Sequence, residues 1–366
     1  MSRIGYIDGL RALSIFYVIA YHFFARFIGE EVSPYLYGDM FEGVPLLSLG
    51  IFGVYLFFGV SGFVIVMTLS RSASLLQFAI RRFARLWPTM LLCASLTFGV
   101  LSLWPNFWAA QWGNFLPSLS LISPKLWNAA LPGVEVNWMD KAYWSLFVEV
   151  RFYAIAGLLY FLSRKHFILL INLFFLGSLV AMSGAQMLGI QSIYNGLAVV
   201  SISNFSGWFL LGIAAYLVNQ QQLSMAGFTL FNGFVCLGWA SHLFGDAHFL
   251  AFAPVFAALL ILPQWWDGLN RALSIAPLAK VGLASYSLYL VHQYAGLTIS
   301  YVIADALSLT GWAAVGVALG AIAGCIGLSM IIYRYWEEPL NKALVKGLTR
   351  KLKSSSKPSN IQSQMA

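Results

Sequence analysis

Within segments otherwise made of Leu, Ile, Val, Phe and Ala, the chain carries a small set of ionisable side chains: Arg11, His22, Glu149 and His292. Such groups are costly in an apolar surrounding, and where they are kept they mark proton relays, substrate paths or ion pairs. His22 is the natural proton acceptor among them. A carboxylate beside an imidazole orients the ring and stabilises its protonated form, which makes a general base toward a hydroxyl. Glu149 is the candidate carboxylate, because the two residues fall at similar depth when their segments are laid out as antiparallel helices. The pair is equally readable as a structural His–Glu bridge tying two helices together. Arg11 precedes His22 by about three helical turns, so both point to one helix face, about 16 Å apart along the axis.

Arg81, Arg82 and Arg85 form a second constellation, just before Trp87 and Pro88. At spacings of three and four residues they share a helix face, and guanidinium forks suit phosphate groups. The other reading is an anchor on lipid headgroups. Ser61 and His292, each near the middle of an apolar segment, either line a path to His22 and donate to a reacting carbonyl oxygen, or bond one helix to another. Cys93, Cys236 and Cys325 lie far apart with no zinc or redox spacing. They read as small core residues, and no metal site is expected.

The elements that hold these residues follow from composition. Of 366 residues, 60% are hydrophobic and only 9% charged, against about 25% charged in a soluble domain. Apolar runs reach about 20 residues, the length a helix needs to cross a bilayer, and lack the alternation of a transmembrane β-barrel. The expected fold is therefore an all-α polytopic membrane protein, a bundle of about ten transmembrane helices with both termini cytoplasmic. The spans are placed near 10–28, 50–69, 87–104, 144–162, 167–185, 198–218, 225–242, 248–263, 282–302 and 312–333. The net charge of +8 gathers in short clusters between spans, as in cytoplasmic loops facing anionic lipid, and does not point to nucleic acid. Arg71, Arg81, Arg82, Arg85, Arg164, Lys165, Arg271 and Lys280 fall on that side, while the external connections hold only Lys125, Lys141 and the flanking Arg26 among bases, together with Glu30, Glu31, Asp39, Glu42, Glu135 and Asp140. The N-terminal segment is interrupted by Asp8, Arg11 and His22 and is expected to stay as the first span rather than be cleaved. An external loop of about 105–143 is rich in Trp and Pro. It is either a stacking platform for a glycan or an aromatic interface belt. Gly316, Gly320 and Gly324 recur every fourth residue, a pattern that permits close helix packing. Residues 1–345 form the membrane domain, and 346–366 are expected to be a basic, disordered cytoplasmic tail.

Several blocks together resemble the acyltransferase-3 family of integral membrane acyltransferases, of the carbohydrate O-acetyltransferase type. They are Tyr6 to Arg11 running on to Tyr21-His22-Phe23; Gly53 to Phe63; Arg82-x-x-Arg85 with Trp87-Pro88; Trp144-Ser-Leu-x-x-Glu149 with Phe152-Tyr153; Ser285 to His292; and Tyr333-Arg334 with Glu337-Glu338-Pro339. The matches cover nearly the whole chain in order. Tyr55, where the family often has an acid, and Arg151, where Gln is common, depart from the pattern.

The resemblance implies transfer of an acyl group, most often acetyl, from cytoplasmic acyl-CoA to a hydroxyl of a surface or exported carbohydrate. It implies that His22 is essential and that Arg82 and Arg85 engage the donor, with Arg11, Ser61 and Glu149 at further motif positions. Many relatives carry a soluble hydrolase-like domain after the bundle, which this chain is expected to lack. The expected site therefore has His22 and Glu149 as catalytic residues, Arg82, Arg85 and Arg11 on the acyl-CoA, and Ser61 and His292 along the path. Direct attack by a hydroxyl and an acyl-histidine intermediate are both open. The expected setting is a bacterial inner membrane, multi-pass, with acyl-CoA, a glycan acceptor and lipid as partners; no oligomeric state is specified. The alternative class is a transporter or flippase for glycans or lipid-linked intermediates, although no matching pair of interrupted spans is visible in the two halves.

Overall fold

The structure, a computed structural model, describes residues 4–355 and is built of helices, with no strand among those residues. The first part of the bundle is α1 (Gly5–Phe24), α2 (Phe52–Ser70), α3 (Leu75–Leu103), α4 (Trp144–Leu162), α5 (Phe167–Met187), α6 (Ser203–Asn219), α7 (Leu223–Phe244) and α8 (His248–Ile261). Four short pieces follow: α9 (Asp267–Leu273), α10 (Ala276–Leu283), α11 (Ser285–Val291) and α12 (Tyr294–Ala306). The long α13 (Gly311–Ile332) and α14 (Glu338–Ser355) close the chain, joined by a π-helical turn at Tyr333–Glu337.

Among the described residues, eight helical units are long and apolar enough to cross a bilayer, or nine if α8 and α9, bent by 104°, count as one span. The expected span 282–302 is helical but is not a single helix, and it is not among those eight or nine units. It breaks after Val291, where Gln293 leaves the helical region at φ −79°, ψ −85°. The fold is thus an all-α polytopic bundle in which the segment carrying His292 is interrupted.

Two expected boundaries move for local reasons. The third span starts at Leu75 rather than near 87. Ser74 Oγ accepts the Gln77 amide at 3.2 Å as the N-cap, while Gln77 Oε1 accepts the amide of Ala73, the residue before the cap, at 2.7 Å, and together these bonds fix the helix start. Arg81, Arg82 and Arg85 therefore ride on α3 itself. At the other end of the chain, the stretch expected to be disordered from 346 continues α14 to Ser355. Leu344, Val345 and Leu348 give that helix a half-buried apolar side, which rests on α3. Residues 356–366 lie outside the described residues.

Close helix approach occurs at other glycines than the expected three. A Cβ at Gly212 of α6 would sit 1.8 Å from the Gly59 carbonyl oxygen of α2, and one at Gly282 of α10 would sit 1.8 Å from that of Asp8 in α1. Gly316, Gly320 and Gly324 have nothing within 4 Å of such an added carbon. Instead, α13 packs through the buried Ala314, Val315, Ala318, Cys325 and Ser329, and its glycine stripe faces away. Cys93, Cys236 and Cys325 are free and buried, as expected of small core residues.

The bundle has two distinct ends. Near one, Arg11 of α1 shares a cavity with Tyr333 and Glu337, and Arg71, Arg81, Arg82, Lys342 and Lys346 surround a groove. The other end holds the Trp-rich segment between α3 and α4. Substituting Gly212→Ala should therefore destabilise the bundle by about 1–3 kcal/mol through overpacking, while Gly320→Ala should be near neutral. Thermal unfolding in detergent reads the difference, and equal behaviour would deny the α2–α6 seam.

Candidate active site

His22 lies in the last turn of α1 and His292 directly after α11, and their rings meet. His22 Nδ1 is 3.0 Å from His292 Nε2, with ring centroids 5.0 Å apart. Both side chains are buried. The proton positions follow from the far side of His292, whose Nδ1 lies 2.8 Å from the Tyr289 carbonyl oxygen. A carbonyl only accepts, so His292 Nδ1 carries a hydrogen, and in the neutral ring Nε2 is then a bare acceptor. His22 Nδ1 must donate to it, which leaves the lone pair of His22 at Nε2. An imidazole oriented in this way can take a proton at Nε2 and keep its bond to His292.

The backbone on each side of the pair is fixed. The carbonyls of His22 and Phe23, left open at the end of α1, accept the hydroxyls of Tyr35 and Tyr37. The break after α11 is held by Asp140, which is fully buried. Its Oδ2 accepts the Tyr294 amide at 2.7 Å and its Oδ1 the Ala142 amide at 2.8 Å. One carboxyl thus caps the first turn of α12 and sets the turn into α4. Burial pushes it up to about 7, against the two amide donors.

The expected His22–Glu149 pair does not form. Ser61 Oγ donates to Glu149 Oε1, and no hydrogen bond joins Glu149 to His22. The reason is depth. α1 ends at Phe24 rather than near 28, so His22 lies two residues from its end. Glu149 lies five residues into α4, level with the middle of α2, and at about 1.5 Å per residue the two differ by roughly 5 Å. Ser61 spends its hydroxyl hydrogen on that carboxylate and has none left for a reacting oxygen.

Three cavities run inward from the basic end and meet at Arg85, which lines all of them. The outermost is a groove of about 450 Å³ between Thr68, Arg71, Arg81 and Arg82 on one side and α14 on the other. Arg82 is steadied there by Thr68 Oγ1 at 3.3 Å and by the Tyr153 ring at 5.6 Å. The next, of about 190 Å³, is bounded by Arg11, Glu337 and Tyr333. The innermost is narrow, about 60 Å³, and lined by Arg11, Ser61, Glu149, Tyr153, Ser145 and Tyr289. Neither histidine lines it. Tyr289 stands between: its ring is 5.5 Å from that of His292, and its hydroxyl meets Ser145 Oγ at 2.7 Å and the Ala142 carbonyl at 2.6 Å.

Beyond the histidines, two residues after His292, Tyr294 stacks on Trp108 at 4.1 Å. Both line a pocket of about 330 Å³ with Trp138, Gln111, Asn137 and Lys141. Arg151 points elsewhere, its Nη1 donating to the Val199 carbonyl at 2.7 Å, and Tyr55 stacks on Trp208; neither lines these cavities. Among the described residues, no three His, Cys, Asp or Glu side chains converge as a metal site. Asp140, Tyr289 and Glu337 complete the arrangement without having been singled out from sequence. Tyr289 and Glu337 fall inside motif blocks, whereas Asp140 reads only as one external acid among several.

Comparison with known proteins gives this constellation a class. The acyltransferase domain family (Acyl_transf_3) matches residues 4–334, and the chain belongs to that family: it is a multi-pass membrane acyltransferase-family protein. It is also similar to an O-acetyl transferase of Shigella phage Sf6, 25% identical over 188 residues, covering 49% of this chain and 54% of the relative. The chain thus spans about half the length of that curated relative. No solved structure matches it.

Replacing Asp140 by Ala should leave two buried amides unpaired, at about 1–3 kcal/mol each. The Tyr294 amide should then exchange its hydrogen faster than in the wild type. Unchanged exchange would mean that this carboxyl does not hold the break.

Proposed function

We propose that the protein moves an acyl group, acetyl in the first instance, from acyl-CoA to a hydroxyl of a surface or exported carbohydrate. The basic end faces the cytoplasm, as the positive-inside rule places it, with the bundle in a bacterial cell membrane. The observation that carries this reading is the line of cavities through Arg85, which runs from a cationic groove to a narrow, largely apolar chamber holding Arg11, Ser61 and Glu149, one tyrosine away from an oriented histidine. The name of the phage relative supports the O-acetyl type.

On this reading the anionic nucleotide end of the donor stays among Arg81, Arg82 and Arg85, and its thin pantetheine arm enters the chamber beside Arg11 and Ser61. The thioester reaches His22 past Tyr289, while the acceptor sugar comes from the Trp108–Tyr294 pocket. His22 Nε2 takes the hydroxyl proton as the oxygen bonds to the thioester carbonyl carbon. The C–S bond then breaks, and the departing sulfur receives that proton from His22, so no net charge is left behind. His292 keeps the ring oriented through both transfers, and Glu149 acts from the chamber through Ser61 rather than on His22. Interrupted spans also suit transporters, but the interruptions at Ile202, after Gln264 and at Gln293 all lie in the second half of the chain rather than in matching halves.

Thiol release from acetyl-CoA by purified protein tests the reading. His22→Ala should lower it by about 10²–10⁴-fold, and undiminished release would remove His22 from the reaction. His292→Gln, whose amide oxygen can accept from His22 Nδ1, should retain more activity than His292→Leu; equal loss would deny the orienting bond. Arg85→Ala should raise the KM for acetyl-CoA about tenfold, with Arg85→Lys recovering part, and an unchanged KM would return this arginine to a structural role.

A further inference from the structure

The groove at the basic end has two walls, and the wall opposite α3 comes from the last helix. α13 alone is 22 residues long, about 33 Å at 1.5 Å per residue, which already spans a hydrocarbon core. α14 therefore continues beyond it, after the π-turn at Tyr333–Glu337 has added a residue to one turn and shifted the helical phase. In that phase Asn341, Lys342, Val345 and Lys346 share one face and look across the groove at Arg71, Arg81, Arg82 and Arg85.

Six cationic side chains thus line one concavity of about 450 Å³. Lys342 has an acidic neighbour, Glu338, at 2.8 Å, and the Nε atoms of Arg81 and Arg82 are buried without a hydrogen-bond partner. Like charges held this close repel, and a polyanion offsets that cost. The concavity continues through Arg85 into the narrower cavities that end at Ser61 and Glu149, so its ligand is an anionic head with a thin tail. We propose that α14 is the second half of a phosphate-binding clamp, with Lys342 and Lys346 gripping the 3′-phosphate and diphosphate of the donor's nucleotide. That head carries about four negative charges near neutral pH. The assignment rests on the acyl-CoA reading above; the other source of the same chemistry is a lipid headgroup phosphate.

The test titrates acetyl-CoA and 3′-dephospho-acetyl-CoA against full-length protein in zwitterionic nanodiscs, and repeats the titration with phosphatidylglycerol present. The wild type should prefer acetyl-CoA. The double substitution Lys342→Ala with Lys346→Ala should weaken acetyl-CoA binding about tenfold or more and reduce the preference over the dephospho form, and Lys→Arg at both sites should restore it. Both lysines are exposed, so the variants keep the fold. Wild-type and double-variant proteins that bind acetyl-CoA equally tightly would overturn the role of α14 and leave the donor reading intact. A wild type that binds neither coenzyme but retains phosphatidylglycerol in the groove would make it a lipid site, and the donor reading would fall with it.

Discussion

A hydrogen bond between two imidazoles has a direction, and at His22 and His292 that direction is set from outside the pair. The Tyr289 carbonyl can only accept, so His292 must spend its Nδ1 hydrogen there and offer Nε2 to His22. This geometry exists because the segment carrying His292 is not a continuous helix. The chain turns out of helical geometry at Gln293, and Asp140 receives the freed Tyr294 amide. α1 supplies the other half by ending immediately after His22, where Tyr35 and Tyr37 take its last carbonyls. Loss of any of these supports would move an imidazole or reverse its proton.

The charged groups deeper in the bundle obey the same economy. Arg11, Arg85, Glu149 and Glu337 lie about a common passage rather than scattered through the core. Clustering opposite charges lowers the cost of burying each, though a buried pair is seldom a net source of stability. Their retention is better explained by what passes between them. On the proposed reading, an acyl-CoA arm threads this passage, and the cations increase in number toward the end where its phosphates stay.

Much of this was legible from the residues alone. The lack of surface charge fixed a helical membrane bundle, and the ordered motif blocks matched the family that the chain belongs to. What sequence could not place was relative depth. Hydropathy puts His22 and Glu149 level, because it is blind to the tyrosine caps that stop α1 early. The start of α3 is set instead by Ser74 and Gln77, a local signal that hydropathy does not register. The break at His292 is not visible in the apolar run 282–302, because its cause is a carboxylate some 150 residues away in the chain. Likewise the glycine spacing in α13 resembled a packing seam, but only a partner can make it one, and the partner helices meet Ala and Ser there instead.

The account turns on which nitrogen of His22 is free. Selective ¹⁵N labelling of histidine, with imidazole chemical shifts measured on the protein in lipid and assigned through His292→Gln, reads the tautomers directly. The account requires hydrogen on Nδ1 and a bare Nε2 at both His22 and His292 in the neutral state. A His22 ring protonated at Nε2 with Nδ1 bare would contradict it, because the nitrogen available to a substrate hydroxyl would then have no lone pair to offer.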